Sequence, residues 1–192
     1  MTDPRLSRRQ LLKDGSLLGG GLWLGSQIPY PLASRAAAAS DQPEVLNTTE
    51  WKTLEAITAR ILPTDHQPGA KEAGCTNFID KALLHEEEEA LPQYQKGLAE
   101  LEAAAMASHS QAFAALTAAE QDRLLVAIEE SEFFETVRVH TLIGFLADPK
   151  YGGNRDFAGW RVAGYPGPRH RRGGYTPEQV TGEAPVRTVW DD

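Results

Sequence analysis

Residues 133–168 read FFETVRVHTLIGFLADPKYGGNRDFAGWRVAGYPGP, and the change of pattern inside this stretch sets the reading of the whole chain. In its first half Phe134, Val137, Thr141, Leu142 and Phe145 recur at three- and four-residue intervals, so they share one face of a helix. Asp148-Pro149 stops that pattern, because proline disfavours helix at the residue before it and has no N–H to donate. In the second half Tyr151, Phe157, Trp160 and Tyr165 are interleaved with Gly152, Gly153, Gly159, Gly164 and Gly167. Such a segment is too aromatic for a solvated linker and too rich in glycine for a regular element. It is expected to be an ordered loop, 150–168, packed on its own helices or on another subunit.

Working upstream, helical patterns continue. Ser131 is placed to cap the helix that carries Phe133 to Phe145. Thr117-Ala118-Ala119-Glu120 has capping-box form and precedes Leu124, Leu125 and Ile128. Pro92 suits the first turn of a third helix carrying Tyr94, Leu98, Leu101 and Ala105, which Ser108-His109-Ser110 breaks. A second helix starts near Cys75 or Thr76, with Phe78, Ile79, Ala82 and Leu83 as its apolar stripe. A first helix, capped by Thr48 or Thr49, carries Trp51, Leu54, Ile57, Ile61 and Leu62, and Pro63 ends it. Between these two, Thr64 to Gly74 is a loop with Pro68-Gly69 turn chemistry. Five helical patterns and no useful alternating strand predict an all-α bundle with a long ordered glycine- and aromatic-rich loop near the C-terminus.

At 192 residues the chain holds one such domain plus terminal segments. Its formal charge of −8 argues against nucleic-acid binding, which draws on clustered Lys and Arg. Residues 1–39 hold five bases and two acids, so the remainder is more acidic still, at −11. One cysteine, Cys75, excludes an internal disulfide and any cysteine-built metal or iron–sulfur site within the chain. Cys75 reads as a small buried residue at a helix start, with pairing to a partner subunit as the alternative.

Residues 7–13, Ser-Arg-Arg-Gln-Leu-Leu-Lys, look like a twin-arginine export signature built on Arg8 and Arg9. The run from Gly15 to Ile28 is too short and too glycine-rich for a spanning helix, which needs about 20 strongly apolar residues. Ala36 to Ala39 then offers small-residue cleavage points after Ala38 or Ala39. The segmentation is therefore a signal over 1–39, a flexible lead-in over 40–47, a helical domain over 48–168 and a polar tail over 169–192. An uncleaved amphipathic anchor is the alternative for the first segment. In the tail, Arg169-His170-Arg171-Arg172 reads as a solvated loop, or as a contact for an acidic partner or anionic lipid.

The inventory for chemistry is thin. Gly152-Gly153-Asn154 follows a helix and a proline rather than a strand, so it is no dinucleotide fingerprint. The sequence carries no haem-attachment, nucleophile-elbow or zinc-protease motif. Glu86 to Glu89 beside His85 point around a helix rather than converging, which fits a solvated face better than a metal site. His140 is the best lone candidate for a catalytic base, with Arg138 or Asp148 as helpers. Arg138 and His140 are two apart, however, and such positions do not face each other on a helix.

Two blocks carry a resemblance. The first is Ile61-Leu62-Pro63-Thr64-Asp65, then Pro68 to Gly74, then Phe78-Ile79-Asp80. The second is DPKYGGNRDFAGW followed by GYPGP. Together, from about Thr48 to Pro168, the chain resembles the small subunit of gluconate 2-dehydrogenase-type complexes, the subunit 3 family. The resemblance implies a cofactor-free accessory subunit in the periplasm, exported by the twin-arginine route and associated with the inner membrane through its complex. The implied partners are a large FAD-dependent subunit of the glucose–methanol–choline type, oxidising a sugar, sugar acid or polyol, and a membrane-bound multihaem cytochrome c subunit that holds haem c. The implied roles are export, maturation and stabilisation of the flavin subunit. With no catalytic, cofactor or metal residues expected in this chain, the loops Pro63–Gly74 and Tyr151–Pro168 become the expected partner contacts, with Tyr151, Asn154, Trp160, Tyr165 and Pro166 as named candidates. The alternative is a stand-alone periplasmic helical enzyme or ligand-binding protein using His140.

Overall fold

The computed structural model describes residues 42–165, which form six α-helices and no strand. They are α1 (Thr48–Ile61), α2 (Cys75–His85), α3 (Leu91–His109), α4 (Ala118–Val126), α5 (Glu132–Leu146) and α6 (Ala158–Ala163). The five expected helices are present, and a sixth short one lies inside the expected loop. No helix among the described residues is long and apolar enough to cross a membrane.

The helix ends follow local chemistry. The α1 cap is Asn47 rather than Thr48 or Thr49: its side chain accepts the N–H groups of Thr49 and Glu50, and Glu50 returns a bond to the Asn47 N–H. The α4 box is present with one change of detail. The Glu120 carboxylate accepts both the N–H and the hydroxyl of Thr117. Ser131 caps α5 by accepting from the Phe134 N–H at 3.2 Å. Pro92 sits in the first turn of α3, and Asp148-Pro149 follows directly on the end of α5.

The main core is shared by α1, α2, α3 and α5, with Leu54, Ile57, Ile79, Leu83, Tyr94, Leu98 and Val137 fully buried. Phe113, from a short 3-10 turn, closes one end of it. The pair α2 and α5 is the most intimately packed. Arg60 reaches from α1 to a fork–fork pair with Asp122 on α4, at 2.7 and 2.8 Å. A second, smaller cluster joins Leu62, Ala70, Ala73, Cys75, Phe145 and Ala158.

Two expectations are corrected. The lead-in is not free: from residue 44 it is fastened to α2, as the Asp80 carboxylate accepts the N–H groups of Glu44, Val45 and Leu46, and Leu46 is buried. The acidic run is not a uniformly solvated helix face either. It forms the turn between α2 and α3, where Glu88 and Glu89 are exposed but Glu86 and Glu87 are half-buried. Burial raises both of the latter carboxyls above the ordinary glutamate range.

Candidate functional site

The two sequence blocks that carry the resemblance meet in space. The loop after α1 and the start of α2 lie against the segment after α5. Arg155 N–H donates to the Ala73 carbonyl at 3.1 Å, and the Asn77 amide donates to the Gly152 carbonyl at 2.7 Å. The Arg155 side chain lies directly over Gly74, which sits at φ +70° as the cap of α2. Ala158 from the second block packs with Ala70 and Ala73 from the first and with Cys75 at the start of α2.

The second block is the C-terminal cap of α5. A helix leaves its last carbonyls without intrahelical partners, and burying them unpaired is costly. Here Asn154 N–H donates to Gly144 O at 2.8 Å and the Asn154 amide donates to Ala147 O at 2.8 Å. The Trp160 indole N–H donates to Leu146 O at 2.7 Å. The Asn154 side-chain oxygen in turn accepts the Gly159 N–H at 2.8 Å, which closes the loop on itself. Asn154 is fully buried at φ +45°, a left-handed conformation that asparagine tolerates better than most residues.

The glycines follow from this close approach. A Cβ on Gly159 would stand 1.7 Å from the Phe145 carbonyl oxygen, so only glycine brings α6 this near to α5. Gly152 sits at φ +91°, and a Cβ there would meet the Asn77 amide at 2.7 Å. Asp156 and Phe157 also take positive φ, at 51° and 55°. The turn into α6 therefore holds strain of roughly 1–3 kcal/mol per residue, offset by the bonds around it.

Burial corrects part of the expected contact set. Tyr151, Asn154 and Trp160 lie inside the chain, where Trp160 stacks on Phe157 with ring centres 5.2 Å apart. They position the loop and do not themselves face outward. Tyr165 is half-buried, edge-on to Trp160 at 5.1 Å. Pro166, Arg8, Arg9 and the 169–192 tail lie outside the described residues. The junction shows solvent another set: Thr64, Asp65 and His66 from the first block, and Asp156, Arg161, Ala163 and Gly164 from the second. Within the first loop Glu72 accepts the Thr64 hydroxyl at 2.6 Å and the Gly69 N–H at 2.8 Å. The Thr64 bond is the main cause of its lowered pKa.

Cys75 is fully buried, and desolvation pushes its thiol pKa far up, so it is an inert core residue in this fold. His140 is half-buried and shares a 2.9 Å hydrogen bond between its Nδ1 and the hydroxyl of the fully buried Tyr94. Burial lowers the His140 pKa and raises that of Tyr94, which keeps both groups neutral near pH 7. Arg138 is bound bidentately by Glu135 at 2.6 and 2.9 Å, and Asp148 accepts the Lys150 N–H at 3.1 Å. The alternative site, His140 helped by Arg138 or Asp148, thus has both helpers engaged elsewhere, and the His140–Tyr94 pair joins α5 to α3.

Sequence reading missed the polar row of α2. Asn77, Asp80 and Lys81 are all buried, spaced so that they share one face of the helix. Asn77 holds the second block, Asp80 holds the lead-in, and Lys81 pairs with Glu44.

The fold and this junction define a small all-α bundle whose terminal loop is folded back as a helix cap. The chain belongs to the gluconate 2-dehydrogenase subunit 3 family, whose model matches residues 48–167. By that membership it is a subunit of a multi-subunit dehydrogenase complex. The match takes in the first block and the second as far as Gly167. Comparison with curated proteins and with solved structures gives no match.

Proposed function

We propose that this chain is the non-catalytic small subunit of a periplasmic FAD-dependent dehydrogenase complex. Its partner would be a large flavin subunit of the glucose–methanol–choline type, oxidising a sugar, sugar acid or polyol and passing electrons to a membrane-bound cytochrome c subunit. The chain carries the twin-arginine signal for the pair through Arg8 and Arg9. It also supports maturation of the flavin subunit. The observation that carries this reading is the family match over 48–167. The junction is consistent with it: its buried polar groups fasten the second loop to the end of α5 and to α2, as a preformed contact surface requires. On this reading Thr64–His66 and Asp156–Gly164 are the partner-facing rim, with Tyr151, Asn154 and Trp160 holding it in shape from beneath.

The test is co-expression with the large-subunit candidate, tagged pull-down and a flavin absorbance scan. The expected result is a yellow, dye-reducing complex in the periplasm, lost when Arg8 and Arg9 are both changed to Lys. Recovery of this chain alone, with no flavoprotein attached, overturns the reading.

A further inference from the structure

Lys81, on the buried polar face of α2, touches two neighbours at once. Its ammonium pairs with the carboxylate of Glu44 in the lead-in. Its aliphatic stem lies under Gly152 in the second block, where a Cβ built on Gly152 would stand 3.1 Å from Lys81 Cδ and 3.5 Å from Cε. The Lys81 side chain is 7% exposed and that of Glu44 38%, so the ammonium reaches outward from the interior to a carboxylate near the surface. Asn77, one turn earlier on α2, donates to the Gly152 carbonyl at 2.7 Å. Asp80, beside Lys81, accepts the N–H groups of Glu44, Val45 and Leu46. Residues 44–46 thus form a strap closed on α2, and its ion pair runs through the residue that floors Gly152.

The strap has an open alternative, in which its three amides bond to water. Among the costs of opening is a buried ammonium left without its carboxylate. Lysine avoids that cost by snorkelling, as its flexible stem carries the charge out to water. Here the same movement withdraws the stem from beneath Gly152, whose turn at φ +91° is held by Asn77. Closing runs the other way: a seated Gly152 keeps the stem extended along it, with the ammonium aimed at Glu44.

We propose that Lys81 couples the strap to the second block. Whatever steadies the second block closes the strap, and whatever opens the strap loosens the turn at Gly152, since coupling between two sites is reciprocal. The coupling is a property of this chain alone. Its use in the complex rests on the proposed accessory role: engagement of the dehydrogenase subunit at the rim draws residues 44–46 onto α2 and fixes the point from which the N-terminal segment leaves the domain.

Native-state hydrogen exchange on the full chain reads both ends, with the slow amides of α3 as the reference for global stability. Asn77→Ala, whose lost bond goes to the second block, should quicken exchange at Glu44, Val45 and Leu46 at least fivefold relative to that reference. Glu44→Ala, at an exposed position, should quicken exchange at Gly152 by a similar factor. Lys81→Met keeps most of the stem and removes the charge, and in that background each substitution should change the far end by less than twofold. The coupling is overturned if either substitution leaves the far end within twofold of wild type, or acts as strongly in the Lys81→Met background. If Asn77→Ala does not fold, Glu44→Ala read at Gly152 decides. In the complex co-expressed with the dehydrogenase subunit, the strap amides should exchange more slowly than in the free chain, and Lys81→Met should abolish that gain. Equal strap exchange in the free and bound chain overturns the use of the coupling in the complex. Failure to form a complex overturns the accessory reading, while the free-chain measurements still decide the coupling.

Discussion

At the scale of single residues the second block is a set of close contacts that tolerate little. Gly159→Ala places a methyl group inside the radius of the Phe145 carbonyl oxygen, so backbone must move. The expected loss is about 3 kcal/mol, the upper end for overpacking, read as a fall of roughly 10 °C in melting temperature. A fall under 2 °C would show that α6 does not dock as described. Asn154→Gly keeps the left-handed backbone but removes the amide that serves Ala147 O and the oxygen that serves Gly159 N–H. It should cost about 2–3 kcal/mol, and Asn154→Ala more, because alanine adds conformational strain. These glycines were visible in the sequence, and their density was rightly a sign of order. Their purpose was not, because it depends on a carbonyl contributed by a different element. His140 gives a prediction in pH. Its folded pKa is depressed by burial below the unfolded value near 6.5, so as pH falls through that value the unfolded state takes up the proton first. His140 therefore lowers stability as pH drops from 7 towards 5.5, and His140→Gln should flatten that part of the curve. Glu86 and Glu87 act in the opposite sense lower down: with folded pKa values raised, they favour the folded state as pH falls towards 4.5. An imidazole titration by NMR with a midpoint above 6.5 would contradict the sign given for His140.

At the scale of elements, α2 is the piece that holds the others. Phe78, Ile79, Ala82 and Leu83 mark it in the sequence as an amphipathic helix, yet every residue from Cys75 to Leu83 is buried. The periodicity of the apolar residues was legible. The opposite face was not, because Asn, Asp and Lys in a helix ordinarily mark the solvent side. They are buried here because groups from outside the helix, backbone for Asn77 and Asp80 and the Glu44 carboxylate for Lys81, supply their partners, and those partners lie 34 or more residues away in sequence. Asp80 is the sharpest case, with three N–H groups converging on one carboxylate at 2.7, 3.3 and 2.9 Å. Asp80→Ala leaves these amides without an acceptor and unseats Leu46 from the core. The expected cost is about 3 kcal/mol, since hydrogen bonds to a charged group contribute more than neutral ones. Hydrogen exchange should quicken at Glu44, Val45 and Leu46 well before it does in α5. Unchanged protection at these amides would mean the lead-in is held by something else. The cap of α1 differs for a local reason: Asn47, one residue outside the threonine pair, accepts the N–H groups of Thr49 and Glu50 itself.

For the whole molecule the question is whether the two hydrophobic clusters melt together. The larger lies among α1, α2, α3 and α5, and the smaller lies under the junction. α2 and α5 contribute to both, through Ile79 and Val137 in one and Cys75 and Phe145 in the other. The bonds from Asn77 and Arg155 cross between the blocks. That arrangement predicts one cooperative unit rather than a stable bundle with a loosely attached loop. Cys75 is a built-in reporter, as the chain's one cysteine sits fully buried in the smaller cluster. A thiol reagent can reach it only when the junction opens. Under native conditions the opening free energy from labelling rates should match the global unfolding free energy from denaturant within about 1 kcal/mol, provided closing is fast relative to labelling. Gly159→Ala should lower both by the same amount. Rapid labelling of Cys75 in a chain that keeps its full helical circular dichroism would instead mean that the junction opens alone. The contact rim would then be ordered by the partner and not offered to it preformed, with the ordering cost drawn from the affinity of the complex.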